Sequence, residues 1–303
     1  MERAERIVEL DALRGAALAG IVMVNIVQLT GLRRPDGPAA AHPTAFVWEL
    51  LFLQRPFPVF TFLFGVSFAL MLRTASRFVL LRRLLWLGVI GLLHSLLQPN
   101  EVLRHYAAFG VVVLLPASYL PRRWVLGLGA LLLVPAMILH GIWIIPGLFL
   151  LGAAAAGYGL PERRALVRAF AVALPAAAIV GHEQYRHGVG PSAYPWTLPA
   201  GLVFAFLFVV GFLLVGRPTH AVLAPMGRMA LTNYVLASAL ILGADATFHI
   251  GQSDGYGRVV AVGTGIGVAQ ALLSLLWLRH FRHGPLEWLW RGLTLWRVPP
   301  MRR

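Results

Sequence analysis

Leu10–Ile26 reads LDALRGAALAGIVMVNI, a run apolar enough to enter a bilayer that nevertheless carries Asp11, Arg14 and Asn25. On a helix Asp11 and Arg14 are neighbours three positions apart, and Arg14 and Asn25 are eleven apart, close to a whole number of turns, so all three line one stripe. Gly15, Gly20 and several alanines keep the remaining surface thin and invite close helix neighbours. An ionised side chain at bilayer depth costs roughly 3 kcal/mol or more, so the stripe is expected to face the protein interior or a wet cavity. A plainer reading pairs Asp11 with Arg14 or with headgroups and leaves Asn25 as a bridge between helices.

Outward from this run, composition gives the class. The 303 residues are 58% hydrophobic and 13% charged, the balance of a multi-span membrane protein. The net charge of +14 comes from 26 basic and 12 acidic side chains, and there is no Lys. These arginines lie in short loops between apolar runs, where membrane orientation accounts for them and nucleic-acid binding does not. With no Cys, disulfides, thiolate metal sites and a cysteine nucleophile are excluded. The first apolar run is long for a signal-peptide core, lacks a small-residue cleavage site and holds charges, so it is expected to stay as the first span.

The expected fold is all-α: a polytopic helical bundle of about ten spans. They are placed at 10–30, 46–72, 79–97, 102–120, 124–140, 142–158, 165–181, 197–216, 221–244 and 257–278. Basic loops after 72, at 121–123, at 161–168 and after 278 fall on one side. The loops at 31–45, 98–104, 182–195 and 245–257 are nearly charge-balanced. The basic side is expected to be cytoplasmic, with both termini inside a bacterial inner membrane. After the last span, Leu286, Trp288, Leu289, Leu293 and Trp296 interleave with Arg282, Glu287, Arg291 and Arg297, the pattern of an amphipathic helix in the interface. No repeat or soluble linker divides the chain, which is treated as one transmembrane domain over 1–303 with motif-rich ends at 1–120 and 197–303.

Several ordered motifs carry a family resemblance. The opening run, FTFLFGVSF at 60–68, RRLLWLGVIGLLHSLL at 82–97, EVLRHYAAFG at 101–110, APMGRMALTNYVLAS at 224–238 and RHFRHGPLEWLWRGLT at 279–294 resemble the YeiB-like bacterial membrane proteins that carry domain of unknown function 418. The most specific is the last, with Gly284, Pro285, Leu286, Glu287, Trp288 and Arg291. That family resembles transmembrane acyltransferases such as the acyltransferase-three proteins and heparan-glucosaminide acetyltransferase. The resemblance implies acyl transfer from cytoplasmic acyl-CoA, as donor substrate, to an acceptor such as a glycan or lipid at or across the membrane.

Carried over residue by residue, Arg14 matches the first-helix Arg of the acyltransferase-three proteins, while Asn25 stands where their catalytic His is expected. The offset used by the heparan enzyme falls on Asp36, with His42 further along. The replacement base is His94, in the outer part of the third span, with Glu101 and His105 in the next connection. A His beside a carboxylate moves protons near neutral pH; a His in an apolar helix also serves as a hydrogen-bonded core residue. Arg55, in a run broken by Pro56 and Pro58 and six residues after Glu49, is expected either to snorkel or to hold an anionic acceptor beside Asp11, His105 and Asn233. Arg228, followed by Thr232, Asn233 and Tyr234, joins Arg14, Arg282 and Arg291 as a basic mouth for the phosphates of coenzyme A, against plain inner-leaflet anchoring. GTGIG at 263–267 lies inside a span and suits helix packing. Scattered His residues indicate no metal, and oligomeric state is open. Two rival classes remain: a small-solute transporter or channel with a polar midplane site and a Pro-broken gate, and a non-catalytic partner of another membrane complex.

Overall fold

The computed structural model describes residues 2–159, 161–190, 194–215, 217–252 and 255–303. The charge-balanced loops expected at 182–195 and 245–257 therefore fall partly outside the described residues. Those described form helices joined by short connections, with only two isolated β-bridges, Gly37 to Val189 and Phe281 to Arg302. Eight segments are long and apolar enough to cross a membrane: Val8–Thr30, Pro43–Met71, Arg122–Leu139, Gly141–Tyr158, Arg163–His187, Trp196–Val215, Ala230–Phe248 and Tyr256–His280. The chain is an all-α, multi-pass membrane protein whose solvent is a lipid bilayer. The other two expected spans are helical but differ in kind. Arg77–His94 carries Arg77, Arg82 and Arg83 in its first two turns, and Leu103–Ala117 is short, about 22 Å at 1.5 Å per residue.

The helices fall into two compact units, Met1–Val59 with Pro161–Leu276, and Phe60–Leu160 with Trp277–Arg303. In the first, α1 (Glu2–Thr30) packs on α11 (His220–Arg228) and α12 (Ala230–Phe248). The α1–α11 contact is backbone on backbone. A methyl at Gly15 would collide with the Leu223 carbonyl, and one at Gly227 with the Asp11 carbonyl. Small residues are what let membrane helices approach this closely. Val22, Ile26, Trp48, Ile241, Ile250 and Val259 form the apolar core, joined by Ile266 of α13 (Tyr256–His280). The remaining pair, α9 (Arg163–His187) and α10 (Tyr194–Val215), lie against each other.

Two breaks shape this unit. Between α2 (Pro43–Phe52) and α3 (Pro56–Met71) the chain turns through Gln54 at φ 58°, the interruption expected from the prolines. The expected span 221–244 is also broken: α11 ends at Arg228, Met229 takes φ −106° and ψ 32°, and α12 starts at Ala230. Arg228 and Thr232 therefore do not share one continuous helix. The Met226 carbonyl, beside the break, accepts from Asn233 Nδ2 at 3.1 Å. Within GTGIG only Gly263 is pressed by side chains, those of Met23 and Ile26, while Gly265 and Gly267 face open space. The packing expectation holds for the first glycine alone.

In the second unit α4 (Arg77–His94) starts at Ser76, whose Oγ accepts from Val79 N at 3.4 Å. It pairs with α5 (Leu103–Phe109), which runs through a π-turn at Gly110–Leu114 into α6 (Leu115–Ala117). The helices α7 (Arg122–Leu139) and α8 (Ile144–Tyr158) form a pair, and Gly65 and Gly152 let α3 touch α8 backbone. The expected amphipathic helix is α14 (Pro285–Leu295). Its Trp290 is buried against α4, donating from Nε1 to the Arg83 carbonyl at 2.8 Å with the Arg83 guanidinium 3.5 Å above the ring, while Leu289, Leu295 and Trp296 stay exposed. The last residues strap back over this helix, with Trp288 Nε1 donating to Pro299 O at 2.8 Å and Arg282 N to Met301 O at 2.9 Å.

Candidate functional site

In the second unit the hairpin between α4 and α5 gathers the polar residues that the sequence singled out. His94 is the last residue of α4 and Glu101 begins the turn into α5; the two are almost fully buried, with His94 Nδ1 3.7 Å from Glu101 Oε1. The reason Glu101 stays inside is local. Its Oε1 accepts from Leu103 N and its Oε2 from Arg104 N at 2.9 Å, so the carboxylate satisfies two of the amide donors that a helix start leaves without intrahelical partners. His105, one turn on, donates from Nδ1 to the Glu101 carbonyl at 3.1 Å. Gly91 is needed opposite, because a side chain there would strike Glu101 Oε2 and Arg104 N. The carboxylate is thus fixed by backbone and held 3.7 Å from an imidazole in apolar surroundings, which places an acid beside a candidate base.

Sequence reasoning missed Gln98, which sits in the same hairpin 1% exposed, with neither amide atom hydrogen-bonded among the described residues. The available signal was an amide inside HSLLQPNE, one of two there with Asn100. Buried amides are nearly always satisfied, so Gln98 brings donor and acceptor capacity next to His94, whose carbonyl accepts its backbone N–H at 3.0 Å.

In the first unit Arg14 Nη1 donates to Asp11 Oδ1 at 2.6 Å, and Arg228, exposed on α11, lies near enough to feel the Asp11 charge. These three do come together on α1 and α11. Asn25 is buried further along α1, its Nδ2 without a partner among the described residues. Arg55 is buried, and four of its five N–H donors go to the protein: Nε to Leu50 O at 3.0 Å, Nη1 to Leu53 O at 2.6 Å and Thr197 O at 3.2 Å, and Nη2 to Gln184 Oε1 at 2.6 Å. Phe204 closes the guanidinium face at 5.0 Å. The side chain neither snorkels nor points free donors at a ligand; it ties the broken helix to α9 and α10. Asn233 is likewise engaged, donating to Ser274 Oγ at 2.8 Å as well as to Met226, and Gln270 Nε2 donates to the Asn233 carbonyl at 2.7 Å.

The basic residues expected at one mouth belong to different units. Arg14 and Arg228 lie in the first, and Arg282 and Arg291, both exposed, in the second. Among the described residues no three His, Asp or Glu side chains converge as a metal ion requires.

The family model described as Protein of unknown function (DUF418) matches residues 160–297, which includes the stretch 160–220 where no motif was placed from the sequence. Among curated proteins the chain is 32% identical to the "Uncharacterized 39.9 kDa protein in amylase 3'region" of Bacillus acidopullulyticus, covering 98% of this chain and 96% of that protein. It is 26% identical to "Uncharacterized protein YeiB" of Escherichia coli (strain K12), over 98% of each. With "Uncharacterized protein YxaH" of Bacillus subtilis (strain 168) it shares 28% identity over 96% of this chain and 94% of the relative. No solved structure matches the chain. Relatedness along nearly the whole length, with the family match over the C-terminal motifs, gives the conclusion: the chain belongs to the YeiB-like DUF418 family of membrane proteins.

Proposed function

We propose that this protein transfers an acyl group from acyl-CoA to a hydroxyl or amine of an acceptor at the membrane, with His94 as the base. The observation that carries the reading is the buried His94–Glu101 pair, 3.7 Å apart, whose carboxylate is immobilised by two backbone amides. In the step, the acceptor hydroxyl gives its proton to His94 as its oxygen attacks the thioester carbonyl. The C–O bond forms, the C–S bond breaks, and the proton passes from His94 to the departing thiolate. Glu101 holds the imidazole and balances its transient positive charge. Gln98, with a free amide donor, is suited to the oxyanion that forms on the carbonyl oxygen. Arg282 and Arg291, on the C-terminal segment of the same unit as His94, serve the donor phosphates. Their loops then face the cytoplasm of the bacterial inner membrane, with both termini inside.

The break at Gln54 favours a second reading, a transporter with a gate between α2 and α3; the engagement of Arg55 across that break favours a fixed joint instead. The test is release of free CoA from acyl-CoA donors of several chain lengths by the detergent-purified protein. Slow turnover in the wild type, lost in His94→Ala with donor binding retained, supports acyl transfer. A wild type that binds no acyl-CoA at about millimolar concentration, an affinity worth only some 4 kcal/mol, overturns it, and solute uptake into proteoliposomes then decides for the transporter.

A further inference from the structure

One end of the first unit holds a polar cluster that acyl transfer, as assigned above, does not use. Glu49, on α2, is fully buried. Its Oε1 accepts from Arg34 Nη2 at 2.7 Å and from the Gly190 amide at 3.2 Å. Trp48, 2% exposed, places its ring 5.0 Å from that of Tyr256, and Tyr256 lies close enough to Arg34 and Glu49 to feel both charges. Tyr256 thus joins the indole to the ion pair. Four buried polar atoms of this cluster have no hydrogen-bond partner among the described residues: Glu49 Oε2, Trp48 Nε1, Arg34 Nε and Tyr256 Oη. One such atom is an ordinary exception; four in one cluster, one of them a carboxylate oxygen in a fully buried side chain, are not.

The chemistry of these atoms selects a ligand. They offer one strong acceptor, two N–H donors and a phenol hydroxyl around an ion pair of zero net charge, beside an aromatic surface. A cation meets Arg34 and an anion meets Glu49, so a charged ligand gains little. A hydroxyl both donates and accepts, and neighbouring hydroxyls match the acceptor and donors together. The C–H face of such a ligand suits Trp48 and Tyr256. Approach is available at Arg34, whose side chain is 29% exposed.

We propose that Glu49, Arg34, Trp48 and Tyr256 form a binding site for a neutral polyol, either a free sugar or the sugar headgroup of a membrane lipid. The site does not rest on the acyl-transfer reading, and its test contains no acyl donor. The thermal transition of the full-length protein in detergent is followed while methyl glucoside is titrated in one arm, and monoglucosyl diacylglycerol in mixed micelles in the other, with diacylglycerol as its control. Wild type, Glu49→Gln and Trp48→Phe are compared; the first substitution turns an acceptor oxygen into a donor, and the second keeps a ring but deletes the N–H.

A saturable rise in the transition in either arm, weakened about tenfold in each variant, supports the site, and the responding arm names the source. Where Glu49→Gln loses its cooperative transition, Trp48→Phe alone decides. No saturable rise in either arm up to about 100 mM methyl glucoside, where binding carries little free energy, overturns the proposal and leaves these atoms to water. Saturable binding that the folded variants retain unchanged overturns it equally, since the polyol then binds elsewhere.

Discussion

Arg55 and Gln184 meet across 2.6 Å inside the first unit, 129 residues apart in the chain. The guanidinium braces the gap between α2 and α3 by taking the carbonyls of Leu50 and Leu53 at the end of α2 and that of Thr197 on α10. A Pro-broken membrane helix is tolerated only where such partners satisfy its freed backbone. Arg55→Met is therefore expected to leave several buried acceptors unpaired, at a cost of about 3 kcal/mol. Arg55→Lys recovers part of this, because an ammonium has three donors but not the planar fork. Denaturant titration in mixed micelles reads the difference; an Arg55→Met protein as stable as wild type would show that the break is held by something else.

The interlocked glycines of α1 and α11 give a sharper contrast. Gly15→Ala and Gly227→Ala each drive a methyl into facing backbone, at Leu223 and Asp11, which cannot yield as a side-chain tip does. Each is expected to cost about 2 kcal/mol or more and to lower the yield of monodisperse protein. Gly265→Ala and Gly267→Ala place the same methyl in open space and are expected to be neutral or slightly stabilising through helix propensity. Size-exclusion profiles of the four variants make the comparison, and equal behaviour of all four would contradict the packing described for α1.

How much of this was legible in the sequence depended on range. The Asp11–Arg14 pair followed from helical spacing, the α2–α3 break from two prolines, and the nearness of His94 to Glu101 from a short turn between apolar helices. The Gln184 partner of Arg55 was not legible, since a Gln in HEQYRH looks like any residue at the polar end of a helix and nothing local reports a contact 129 residues away. The break at Met229 was hidden for another reason. Met, Ala and Leu around it all favour helix, and the compensating bond from Asn233 to the Met226 carbonyl is made by a residue that reads equally well as a ligand contact. Glu101 illustrates the converse: its acidity was noted, but its two amide bonds depend on where α5 begins, which an apolar pattern places only to within a few residues.

That pair of amide bonds separates two roles for Glu101. As a helix cap it contributes about 1 kcal/mol through two bonds, of which Glu101→Gln keeps one, its amide oxygen accepting while its NH2 meets the other backbone N–H. As the group that orients and balances His94 it needs its charge, which Glu101→Gln removes. The variant is expected to fold with a transition lowered by about 1–3 kcal/mol, keep the wild-type KM for acyl-CoA, and lose about tenfold or more in kcat, while His94→Ala loses about 100-fold or more. A rise in KM with unchanged kcat would instead make Glu101 purely a scaffold for the hairpin.

The C-terminal helix is testable apart from any activity. Trp290 binds α4 through one indole bond to the Arg83 carbonyl and through the guanidinium stacked 3.5 Å above its ring. Trp290→Phe keeps an apolar ring but deletes the donor and weakens the cation–π contact, a loss of about 1–2 kcal/mol. That is too little to unfold the unit, yet it raises the population of a detached α14 roughly tenfold. The strap beyond α14 should then loosen where Trp288 holds Pro299 and where Arg82 of α4 lies over the Trp296 ring, while its last residues stay tied to the end of α13 and the following connection through Arg282 to Met301 and Arg303 to His280. Limited proteolysis with an Arg-specific protease in mixed micelles reads this directly: cleavage after Arg291 or Arg297 is expected to accelerate several-fold in Trp290→Phe, while cleavage after Arg122 and Arg123 stays at the wild-type rate. Unchanged cleavage at the C-terminal sites would mean that α14 is held by the bilayer surface and not by α4.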